Sequence, residues 1–242
     1  MFLDYQSMSL WQLLAFDAPG WGGALLSGLV LSLQIAGLGY AAGLLIGMLG
    51  ATSKLSGGVI SKDLWACYTT LVRAVPELVL ILLIYFALPS AINQTLAAIG
   101  INEIEINGFV AGVIVIAFVQ GAYATEVIRA GIQAIPEGQI EAAKAFGMPS
   151  LKIFYRITFP AMLPHALPGL SNLWLIATKD TALLAVVGFT ELTLAARQAA
   201  GATKEHLLFL CSAGALYLIV SLMSDLVFKW AIQRSTKGTQ HE

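Results

Sequence analysis

Residues 18–53 read APGWGGALLSGLVLSLQIAGLGYAAGLLIGMLGATS and carry no charge between Asp17 and Lys54. About 20 apolar residues suffice for a helix to cross the hydrocarbon core of a bilayer. The run therefore holds a membrane span, at roughly 24–49. The same test predicts four more, near 67–88, 108–128, 163–189 and 207–231, the fourth with Lys179 and Asp180 inside it. Composition agrees. The chain is 58% hydrophobic and 11% charged, against roughly 25% charged in an average soluble domain, and its mean hydropathy is +0.80. The reading is an all-α membrane protein with five transmembrane helices. A net charge of -1 gives no basic surface for nucleic acid. Cys67 and Cys211 stand apart in apolar surroundings and are expected as buried small hydrophobes, not as a disulfide or metal site. Asp4 stands where a cleavable signal would be basic, so none is expected.

Orientation follows from the excess of Lys and Arg on the cytoplasmic side of membrane proteins. One set of segments carries Lys54, Lys62, Arg129, Lys144, Lys152, Arg156, Lys229, Arg234 and Lys237; the other carries only Arg197 and Lys204. The N-terminus is thus expected outside and the C-terminus in the cytoplasm. Residues 1–23, with Trp11, Phe16 and Trp21, suit a periplasmic interfacial segment. Residues 24–232 form the transmembrane domain, with a cytoplasmic loop at 129–160, and 233–242 form a cytoplasmic tail. Gly39, Gly43 and Gly47 recur every four residues in the first span and share one helix face. Such a stripe lets helices approach closely. Packing within the chain is preferred over a subunit interface. Glu191, Arg197 and Glu205 fall in an outer loop, as solvated charges or contacts to a delivering protein.

The 129–160 loop has helix grammar. Pro136 and Glu137 suit a helix start, Ala142, Ala143 and Ala145 a helix body, and Gly147 the residue just past its end. Pro149 then opens a second short helix through Ser150–Ile157, which Pro160 is expected to end. Ile140, Ala143 and Phe146 recur every three residues. They form an apolar ridge that could seat in a groove of another protein or lie on the bilayer. Spacing alone does not choose between these.

Glu141, Ala142, Ala143, Gly147, Ile157 and Pro160 stand at the spacing of the Glu-Ala-Ala loop of permease subunits in bacterial ATP-binding-cassette importers. The chain resembles that family, with Phe159 replacing the family's leucine. Tyr123–Gly131, Ile135–Gln139 and Arg73-Ala74-Val75-Pro76 are similar to the polar-amino-acid subgroup, and to its histidine/lysine/arginine/ornithine and opine permeases in particular. The resemblance covers roughly 24–232. It implies a type I importer permease fold in the bacterial inner membrane, without enzymatic activity of its own. It also implies a sister permease in a heterodimer, two copies of an ATPase that hold ATP and Mg, and a periplasmic binding protein. The loop, through Glu141, Ala142, Ala143, Phe146, Gly147, Ile157 and Pro160, would couple to that ATPase. No cofactor is expected in this chain, which has no Gly-x-x-x-x-Gly-Lys-Ser/Thr motif.

Ionisable residues within spans are costly and so are candidates for function. Arg73 and Glu77 flank Pro76, and Lys179, Asp180 and Thr181 interrupt the fourth span; these are candidate pathway residues, although Pro76 with Glu77 just after it also suits the start of a helix. Glu77 matters most, because the cationic-amino-acid permeases resemble this chain in carrying an acid there. Lys179 and Asp180 could instead neutralise each other on an unwound stretch. Glu126 and Arg129 either pair or form a gate. The expected cargo is a cationic amino acid or an opine, with glutamine or another polar amino acid as the alternative. An ion-coupled secondary transporter would show inverted halves with broken helices, and no repeat is visible. An intramembrane enzyme would need a reactive constellation, whereas His165, His206 and His241 are scattered.

Overall fold

The structure, a computed structural model, describes residues 8–102 and 107–236. Asp4, Lys237 and His241 lie outside the described residues. The described residues form α1 (Leu10–Leu13), α2 (Gly22–Ser56), α3 (Val59–Ala74), α4 (Glu77–Ala98), α5 (Gly108–Gln133) and α6 (Glu137–Ala145). These are followed by α7 (Ser150–Ile153), a π-helical turn (Phe154–Thr158), α8 (Phe159–Asp180), a 3-10 helix (Thr181–Val187), α9 (Leu192–Thr203) and α10 (His206–Thr236). Among the described residues, five runs are long and apolar enough to cross a membrane: α2, α4, α5, the continuous run Ser150–Val187, and α10.

Several expectations change. The 67–88 stretch is not one span. Val75 is extended (φ -94°, ψ 137°), as the residue before a proline tends to be, and it separates α3 from α4. Only α4 meets the requirement for crossing, so this span is Glu77–Ala98. Pro160, expected to end a helix, lies inside one. The Phe159 N–H bonds to the Phe154 carbonyl, five residues back. This π register shifts the ladder just before the proline, where a missing N–H is tolerated. The second arm of the loop therefore runs unbroken into the fourth span. At 1.5 Å per residue the 35 residues of α2 reach about 52 Å, beyond a hydrocarbon core of about 30 Å. Lys54 accordingly sits in its last turn and not in a loop.

The chain divides into two compact units. The first comprises Met1–Gly39, Pro76–Ile116 and Ile176–Ser221. Its core gathers Leu13 of α1, Leu25 of α2, Leu192 and Ala196 of α9, and Phe209 and Ala213 of α10. After Leu192, the buried face of α9 is made of small residues, Ala195, Ala196, Ala199, Ala200 and Thr203. Gly39 packs in this unit, where an added Cβ would lie 2.7 Å from the Ile116 Cβ.

The second unit comprises Tyr40–Val75, Ala117–Leu175 and Leu222–Glu242. Here α2 lies against α5. A Cβ on Gly43 would stand 3.0 Å from the Gln120 Cβ; on Gly47 it would stand 2.6 Å from the Ala124 Cβ and 2.9 Å from the Ala124 carbonyl carbon. The glycine stripe is used inside the chain. Gly47→Ala is expected to cost about 1–3 kcal/mol by overpacking, read as a lowered midpoint in thermal unfolding of the purified protein. An unchanged midpoint would contradict this close contact. Cys67 and Cys211 are free and exposed on α3 and α10, not buried. In a membrane chain an apolar neighbourhood marks an outward helix face as readily as a core.

Candidate functional site

The 129–160 loop folds as an elbow. Pro136 caps α6, and Glu137 lies in its first turn, where the helix dipole favours an acid. Gly147 ends the arm with φ +69°, a conformation open to glycine at little cost. Its N–H donates to the Lys144 carbonyl at 2.9 Å, and the Met148 N–H to the Ala143 carbonyl at 3.1 Å. This bond pair is the Schellman closure of a helix end. Pro149 then starts the second arm, its carbonyl accepting from Lys152 at 2.9 Å and Ile153 at 3.0 Å. The first arm packs on α7 and on the π turn.

Glu141, Ala142 and Ala143 lie on the first arm, Gly147 at the corner, Ile157 in the π turn and Pro160 in the first turn of α8. The expected apolar ridge is only partly available. Ala143 is buried. Ile140 is half-buried and lines a cleft of about 260 Å³ with Ile132, Ile153 and Phe154. The corner folds the second arm back onto that face and consumes it. Phe146 alone of the three projects freely, 87% exposed, next to exposed Glu141, Ala142 and Lys144.

Glu126 and Arg129 are brought together, with a member that charge counting assigned to a loop. The Glu126 carboxylate accepts from Arg129 Nη2 at 2.7 Å and Nε at 3.0 Å, and from Lys54 Nζ. Lys54 also donates to Thr69 Oγ1 at 3.0 Å, and Arg129 to Gln133 Oε1 at 2.7 Å. The carboxylate thus ties α2 to α5, and the Lys54 ammonium extends the tie to α3. Next to Thr69 in the chain, Tyr68 donates to the Phe118 carbonyl at 2.5 Å. Burial pushes the Tyr68 phenol above its ordinary pKa, so it remains a donor.

The remaining pathway candidates lie on α3, on α4 and at the junction of α8 with the 3-10 helix. Arg73 is exposed in the last turn of α3, its guanidinium carbon 5.9 Å from the centre of the Tyr123 ring. This is within range of a cation–π contact. Glu77 is half-buried in the first turn of α4. Lys179 is exposed whereas Asp180 and Thr181 are buried. The helix tightens to 3-10 form at this corner, and Thr181 Oγ1 donates to the Thr178 carbonyl at 2.8 Å.

Glu191 corrects the reading of an outer-loop charge. It is 0% exposed and forms the N-cap of α9. Its carboxylate accepts the Leu194 and Thr193 N–H groups, each at 2.9 Å, and the Tyr217 hydroxyl at 2.9 Å. Ser32 Oγ stands 3.2 Å away. The visible signal was an acid immediately before an amphipathic helix, which is N-cap grammar. Its partners on α2 and α10 were invisible because they lie far away in sequence.

The elbow and the spans find counterparts among known proteins. The family model of the binding-protein-dependent transport system inner membrane component matches residues 39–237. The chain is 38% identical over 221 residues to the histidine/lysine/arginine/ornithine transport system permease protein HisQ of Escherichia coli (strain K12), covering 91% of this chain and 97% of that protein. It is 40% identical over 234 residues to the nopaline transport system permease protein NocQ of Agrobacterium fabrum, covering 95% and 98%. A crystal structure of an amino acid ABC transporter with histidines superposes with a TM-score of 0.73 at 30% identity, covering 88% of this chain and 94% of that one. The family match includes the elbow and the Lys54–Glu126–Arg129 triad, and the chain belongs to the family of inner membrane components of binding-protein-dependent transport systems, as a membrane transport component and not an enzyme.

Proposed function

We propose that this permease subunit passes cationic amino acids, or opines derived from them, across the bacterial inner membrane by alternating access. Its N-terminus is periplasmic and its C-terminus cytoplasmic, so the elbow faces an ATPase. The full importer holds this chain and a sister permease as a heterodimer, two ATPase copies that bind ATP and Mg, and a periplasmic binding protein that selects cargo. The relatives support the substrate class, being named for histidine/lysine/arginine/ornithine and nopaline transport.

The observation that carries the reading is the continuity of the elbow with a span. The Schellman corner fixes α6 on the second arm, and that arm is helical without a break from Ser150 to Val187. Displacing α6 would then move a membrane helix as a lever. ATP-driven closure of two ATPase copies would draw the elbows together and open the cavity outward. The test is uptake of radiolabelled lysine, arginine, histidine and glutamine into liposomes carrying the complete complex, with loaded binding protein outside. Uptake that requires ATP and not an ion gradient is the expected result. Preference for glutamine would overturn the substrate class, and uptake driven by an ion gradient would overturn the mechanism.

Glu77 supplies a separate check. An anion in the first turn of α4 is a favourable neighbour for a passing cation. Glu77→Gln is expected to lower uptake of arginine several-fold more than uptake of any neutral amino acid the complex carries. Equal effects on both would remove Glu77 from the pathway.

A further inference from the structure

We infer that Glu191 is a positioning residue for transport, fixing the corner that carries Lys179, Asp180 and Thr181. The inference rests on the importer reading above. Glu191 sits where three helices of one unit meet. Two N–H groups of α9 bind its carboxylate, together with the hydroxyls of Ser32 from α2 and Tyr217 from α10. Ser32 Oγ in turn accepts the Leu192 N–H at 3.3 Å, and its single proton is shared between Glu191 and the Gly28 carbonyl at 3.0 Å. The backbones touch at this point: a Cβ on Gly28 would lie 2.9 Å from the Leu192 nitrogen and Cα.

Tyr217 carries the network onward. Its hydroxyl also lies 3.3 Å from Thr193 Oγ1, in the first turn of α9. The helix that Glu191 caps packs against the 3-10 helix that Thr181 opens directly after Lys179 and Asp180, so anchoring α9 holds the corner. A wholly buried carboxylate is costly unless its oxygens are satisfied. Here the acceptor sites, about four on a carboxylate, meet two N–H groups and two hydroxyls, which leaves nothing for a ligand. Glu191 is therefore an anchor and not a substrate site. The charge matters as well as the shape. Bonds to an ionised acceptor are roughly twice as strong as neutral ones, and the α9 N-terminus favours an anion. A glutamine would turn an NH₂ group toward donors.

The test uses the complete complex in liposomes, with loaded binding protein outside. Tyr217→Phe removes one donor and leaves the α9 cap intact. It is expected to assemble in normal amount with a near-normal unfolding midpoint, and to lower the maximal uptake rate about tenfold. The concentration of loaded binding protein that gives half-maximal uptake should not change. Glu191→Gln should lose more, and adding Tyr217→Phe to it should cost little further, because the two act through one contact. Wild-type uptake by the Tyr217→Phe complex overturns the inference, as does a loss of uptake matched by an equal loss of assembled complex. Absence of ATP-dependent uptake by the wild-type complex would instead overturn the importer reading, and this inference with it.

Discussion

Phe146→Asp is expected to abolish ATP-dependent uptake while leaving the chain folded and inserted. The side chain is 87% exposed at the tip of the elbow, so within this chain it loses no packing. An aromatic residue left bare beside Gly147 is the kind of group that fills a partner's pocket. Truncating such an anchor typically costs 2 kcal/mol or more, and a buried aspartate adds a desolvation cost. Affinity for the ATPase should fall at least roughly 30-fold. Three measurements separate the effects: the amount of chain in membranes, the amount of ATPase that co-purifies, and uptake. Normal membrane level with lost co-purification and lost uptake is the expected pattern. Normal co-purification and uptake would remove Phe146 from the coupling surface. Gly147→Asp is a companion probe. A Cβ there meets nothing within 4 Å, and only the left-handed φ of +69° is strained. Aspartate tolerates that region better than most residues, so this chain alone gives little reason for a loss of function. A loss of uptake in that variant would therefore arise at the partner.

Much of this architecture was legible in sequence because two of its causes are local. Charge-free runs marked the spans, and Gly147 with its flanking alanines marked the elbow. What was not legible depends on partners that composition cannot see. Pro76 separates α3 from α4, yet Val75 and Leu78 continue an apolar pattern that conceals the break. Pro160 is a sound helix-ending signal in isolation, and the π register of Phe154–Thr158 cancels it. Lys54 and Glu191 share a cause of error. Each is a lone charge at the edge of an apolar run and so reads as part of a loop. Their partners Glu126, Ser32 and Tyr217 come from other helices. Ile140 and Ala143 show the converse. Their periodicity was read correctly, but periodicity does not say whether an apolar face meets another protein or the chain's own second arm.

The charge at position 54 carries the second large effect. Lys54→Glu would place a carboxylate against Glu126, whose own side chain is only 17% exposed. Arg129 is bound to the same Glu126 at 2.7 Å and cannot serve both acids with its present bonds, one of which goes to Gln133. Removing one partner of a fully buried pair costs about 3–5 kcal/mol; this pair is partly buried, which lessens that cost, whereas a like charge in its place raises it. The expected result is little assembled protein and a sharply lowered unfolding midpoint. Lys54→Met isolates the milder loss, because Glu126 keeps Arg129. The informative variant is the exchange, Lys54→Glu with Glu126→Lys, which returns opposite charges to the contact between α2 and α5. If the triad is a structural tie, the exchange should restore both assembly and uptake in large part. If Glu126 and Arg129 form a gate that requires this polarity, assembly should return while uptake stays low. Neither recovery would show that the contact between Lys54 and Glu126 is not what holds these helices together. The outcome decides whether the triad merely joins α2, α3 and α5 or takes part in the passage of substrate.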